Sequence, residues 1–89
     1  MSVLLITYDL CKPGQNYAAL WAYIKQFSHM PLSESSYAIQ TSLTPADVGA
    51  QIRQLIDESD QAYVINLTMP YWGFGPTDVH DWLNAKLTF

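Results

Sequence analysis

The segment "VLLITY", residues 3 to 8, places Val3 and Leu5 on one face of an extended chain and Leu4, Ile6 and Tyr8 on the other. Apolar residues on both alternating faces predict a central strand covered on both sides. Asp9 ends the run, and Pro13-Gly14 predicts a turn. Asn16 is a good N-cap, and Tyr17, Leu20, Trp21, Ile24 and Phe27 recur at helical spacing, predicting an amphipathic helix of about three turns. Residues 30 to 42 carry strand signals at both ends around the polar stretch Ser33 to Ser36. They predict a short irregular strand, a turn or bulge, and a more regular strand from Tyr37 to Thr41.

"TPAD", residues 44 to 47, supplies an N-cap Thr44, a proline at the first helical position and an acid at the third, a capping box with Asp in place of Glu. Val48, Ile52, Leu55 and Ile56 form the buried stripe of that second helix. The acidic run "DESDQ", 57 to 61, ends it and reads as a solvated loop. From 62 to 69 the chain alternates again: Tyr63, Ile65, Leu67 and Met69 face one way, while Ala62, Val64, Asn66 and Thr68 form a half-polar face. "PYWGFGP", 70 to 76, breaks regular structure, and a third helix is expected from Thr77 to Leu87, burying Val79, Trp82, Leu83 and Leu87.

The order strand, helix, strand, strand, helix, strand, helix predicts one α+β domain over residues 1–89. With right-handed crossovers it becomes a ferredoxin-like βαββαβ sandwich with an added C-terminal helix. Two helices cover one face of such a sheet. Because Val3 and Leu5 are apolar, the other face must also be covered, by the third helix or by a second copy of the chain.

Composition sharpens this picture. The 89 residues are 49% hydrophobic and 13% aromatic, with only 13% charged, more apolar surface than one small core hides. A homodimer is therefore expected. The net charge is −4, and the four basic residues, Lys12, Lys25, Arg53 and Lys86, are scattered, so there is no basic stripe of the kind that grips a phosphate backbone. A protein partner is favoured over a nucleic acid. No apolar run approaches the length of a membrane span and the N-terminus has no signal-peptide pattern, so a cytoplasmic protein without membrane association is expected. A single cysteine leaves no internal disulfide and no thiol-rich zinc site.

"ITYDL" (6 to 10) with "KPGQNY" (12 to 17), "SESSYAIQTSLTPADV" (33 to 48) and "DESDQAYVINLT" (57 to 68) together resemble the Cas2-like group, relatives of CRISPR-associated protein two, and within it the SinR-like branch. The resemblance implies a ferredoxin-like fold, a symmetric homodimer and an aspartate at the end of the first strand. In nuclease members that aspartate lies near the dimer axis, where the pair holds a divalent metal such as Mg2+. Carried over, the catalytic and metal-binding role falls on Asp9 alone. Lys12 is the one basic residue left of those that follow this aspartate in the nucleases.

Two functions follow as expectations. One is a non-catalytic homodimeric protein-interaction module. The other is a metal-dependent endonuclease or ribonuclease, cleaving phosphodiesters with Asp9 as metal ligand at the dimer axis; a small-molecule-binding regulatory domain ranks behind both. One carboxylate does not make a magnesium site, but a residue on a two-fold axis meets its own copy. Asp9 can equally begin an Asx-type turn. Cys11 lacks a nearby base and reads as a structural thiol, and His29 and His80 belong to no ligand spacing. The serine that relatives keep near the aspartate falls among Ser33, Ser35 and Ser36, where a hydroxyl orients a phosphate or bonds to an irregular strand's backbone. "YWGFG", 71 to 75, lacks the basic residue and strand of an RNA-recognition motif, so its aromatics are expected to cover the open sheet or a dimer partner.

Overall fold

The computed structural model describes residues 1–10 and 17–89. The expected Pro13-Gly14 turn and Asn16 cap, together with Cys11 and Lys12, lie outside the described residues. Elsewhere the chain is α+β, a four-stranded antiparallel sheet with three helices. The elements are β1 (Ser2–Asp9), α1 (Ala18–Lys25), β2 (Ser28–Ser33), β3 (Ser36–Thr41), α2 (Pro45–Arg53), β4 (Gln61–Leu67) and α3 (Thr77–Lys86). The strand order is β2-β3-β1-β4 and every neighbouring pair is antiparallel. None of the described helices is long and apolar enough to cross a membrane.

β1 is central, as its two apolar faces predict, with Leu4 opposite Ile39 of β3 and Ile6 opposite Val64 of β4. Its first face carries Leu4, Ile6 and Tyr8, all buried together with Leu20 and Ile24 of α1 and Val48 and Ile52 of α2. Its second face is graded. Val3 is fully buried with Ala38, Leu83 and Leu87, Leu5 and Thr7 are half-buried, and Asp9 is exposed. The third helix is therefore what covers the second face, but only at the Val3 end. Towards Asp9 that face is open among the described residues.

α1 is eight residues long, shorter than the apolar spacing suggests, and β2 starts at Ser28 rather than Met30. Phe27 keeps the helical spacing from outside the helix, its ring packed edge-on against Tyr23 with centroids 5.3 Å apart. Periodicity alone does not separate a last helical turn from the residue that follows it. The β2–β3 hairpin contains both the turn, at Glu34 and Ser35, and a register shift between Pro31 and Ser33.

α2 begins as its sequence predicts. Thr44 Oγ1 accepts from Asp47 N at 3.1 Å, and Thr44 N donates to Asp47 Oδ2 at 3.1 Å. The aspartate side chain is long enough to close the box, and a cap of this kind contributes about 1 kcal/mol. Leu55 and Ile56 lie beyond the end of the helix and are half-buried.

Candidate functional site

Asp9 ends β1 on the open part of the second face, opposite Gln61 of β4. Thr7, Tyr8, Gln61 and Tyr63 line with it a shallow depression of about 160 Å³. Among the described residues no three His, Cys, Asp or Glu side chains come together as a metal set. The described residues of one chain thus do not by themselves make up the near-octahedral oxygen coordination that a magnesium ion needs.

The strand beside Asp9 is firmly held. Tyr8 Oη donates to Glu34 O at 2.9 Å and Tyr8 N donates to Ser35 O at 3.0 Å, seating the β2–β3 turn on β1. Trp21 packs on Tyr8 at 5.4 Å between centroids. Burial, and secondarily the neighbouring Tyr37, push the Tyr8 phenol well above its ordinary range. A group whose folded pKa exceeds its unfolded value contributes stability that is intact below the unfolded value, about 10, and lost as pH climbs above it. Alkaline titration followed by circular dichroism should therefore show unfolding above about pH 10. Tyr8→Phe should be less stable at neutral pH by about 1 kcal/mol, the lost hydrogen bond, yet lose less of its stability in alkali.

The other candidates have local partners. Ser33 Oγ and Ser36 Oγ are 2.7 Å apart, and Ser33 Oγ accepts from Ser35 N at 3.2 Å, so this hydroxyl closes the hairpin, the second of the two roles expected of the serines. His29 Nδ1 lies 2.8 Å from Phe27 O. His80 Nδ1 lies 3.3 Å from Tyr71 Oη, which donates to Asn84 Oδ1 at 3.2 Å, fixing the loop after β4 to α3.

That loop divides its aromatics. Tyr71 packs against the second core, whereas Trp72 and Phe74 are each 86% exposed and meet only edge to face, 5.6 Å apart. Of the two covers expected of these rings, Tyr71 alone packs on the sheet within the chain, and the other, a dimer partner, concerns Trp72 and Phe74. β4 shows a similar inversion. Its half-polar face, with Ala62 and Val64, packs against the helices, while Tyr63 and Ile65 on its apolar face are 65% and 48% exposed.

Two features were not legible in the sequence. The acidic turn is built rather than merely solvated: Tyr17 Oη donates to Asp60 Oδ2 at 2.9 Å, and Asp57 N donates to the same oxygen at 2.8 Å. No local signal links residues 43 positions apart. Between this turn, α2 and β4 lies a cavity of about 560 Å³ with Gly49, Ile52, Ala62 and Val64 in its walls and Arg53, Asp57, Glu58 and Asp60 around it. Glycine inside a helix costs roughly 0.5–1 kcal/mol relative to alanine. Packing does not require it here, since the nearest atom to an added Cβ would be Val64 Cγ2 at an ordinary 4.0 Å.

No family model matches the chain, and no curated protein matches it.

Proposed function

We propose that the chain is a ferredoxin-like, Cas2-like homodimer serving as a non-catalytic protein-interaction module. The strand order β2-β3-β1-β4, with α1 and α2 packed on one face, supports the ferredoxin-like reading. The single observation that carries the dimer is the inverted β4, which turns Tyr63 and Ile65 away from the core onto the half of the sheet that α3 leaves open. This strip carries neutral side chains, with Asp9 at its margin, so two copies can meet across it with little repulsion despite a charge of −4 each. Light scattering across a concentration series should give the mass of a dimer; a monomer throughout would overturn the reading.

The position of Asp9 on the same face favours one alternative, a magnesium-dependent endonuclease in which two copies of Asp9 meet. It predicts metal-dependent cleavage of RNA or DNA that Asp9→Ala abolishes while the dimer persists. Intact substrate with the wild-type protein across divalent metals and pH would rule it out.

A further inference from the structure

The geometry points to a small-molecule site on the opposite side of the sheet, in the cavity between α2 and β4, with a free α-amino acid bearing a branched aliphatic side chain as its ligand. This inference is independent of the dimer, because Ala62 and Val64 project from the helix-covered face of β4 and Tyr63 and Ile65 from the other. The cavity of about 560 Å³ falls within the range of roughly 300–1,000 Å³ usual for small-molecule sites.

Its lining combines three chemistries. Gly49, Ile52, Ala62 and Val64 form an apolar wall. Arg53, at the end of α2, supplies a guanidinium suited to a planar carboxylate. Asp57, Glu58 and Asp60 supply negative charge, and the first and last are oriented by hydrogen bonds: Asp57 Oδ2 accepts from Ser59 N and Oγ, and Asp60 accepts from Tyr17 and Asp57 N. A purely apolar ligand would leave the charged side of the cavity unused, a simple anion would face the carboxylates, and a simple cation would face Arg53. A zwitterion with an apolar tail answers all three, its carboxylate toward Arg53, its ammonium toward the acidic turn and its side chain over Gly49.

Titration calorimetry with L-leucine should show saturable binding of one ligand per chain. 3-Methylbutylamine and 4-methylpentanoate, each lacking one charge, should bind at least about tenfold more weakly, a difference of about 1.4 kcal/mol. Gly49→Leu, whose side chain enters the cavity beside Val64, should abolish binding, with circular dichroism checking that the fold persists, and Arg53→Gln should weaken it about tenfold. The Tyr63→Glu/Ile65→Glu variant should bind as the wild type does, so loss of the dimer and loss of the site are separately visible. Absence of binding by L-leucine, equal binding of either single-charge analogue, or wild-type affinity in Gly49→Leu would overturn the inference.

Discussion

Tyr63→Glu/Ile65→Glu is expected to convert the protein from dimer to monomer with little change in the fold of each chain. Within the chain both side chains face solvent, and substitutions at such positions usually alter stability by no more than about 0.5 kcal/mol. In a two-fold dimer the same change places four carboxylates in one apolar interface. Burying charges without partners costs several kcal/mol. The dissociation constant should rise roughly 100-fold or more, since each 1.4 kcal/mol is a factor of ten. Sedimentation equilibrium reads the mass and circular dichroism the fold. A variant that remains fully dimeric would place the interface elsewhere, with the exposed Trp72 and Phe74 the next surface to probe.

Ile6→Ala should do the reverse, breaking the fold rather than the assembly. Ile6 is fully buried at the centre of the sheet, among residues contributed by both α1 and α2. Truncating a buried isoleucine costs about 2–5 kcal/mol, from lost burial and from the cavity left behind. Domains have only about 5–15 kcal/mol in total, and in one of this size each 1 kcal/mol moves the melting temperature by about 4–8 °C. A fall of roughly 10 °C or more is expected by calorimetry. Ile65→Ala, the same truncation on the next rung and the open face, should leave the melting temperature of the isolated chain nearly unchanged. A similar loss from both would mean that the second face is covered within the chain at Ile65 as well as at Val3.

The contrast between these isoleucines marks how far the sequence could be read. Its order of strands and helices, the central place of β1, the Thr44–Asp47 capping box and the irregular hairpin after Met30 were all determined by short-range chemistry. Two-residue and 3.6-residue periodicities, a proline at a helix start and a side chain reaching three residues along report local geometry whatever the rest of the chain does. Asp9 could likewise be placed at the end of a strand from its neighbours alone.

Tertiary structure decided everything that depends on which surfaces meet. The alternation of β4 identifies two faces, but not which of them turns toward the helices. α1 and α2 settled that by closing over Ala62 and Val64, and the position of α3 over Val3 left Tyr63 and Ile65 exposed. The Tyr17–Asp60 hydrogen bond and the cavity beside Gly49 join segments far apart in the chain, for which no local pattern exists. Periodicity records that a residue has a side, and packing alone assigns what that side touches. The open half of the sheet and the pocket behind it therefore belong to the fold, although every residue lining them was visible in the sequence.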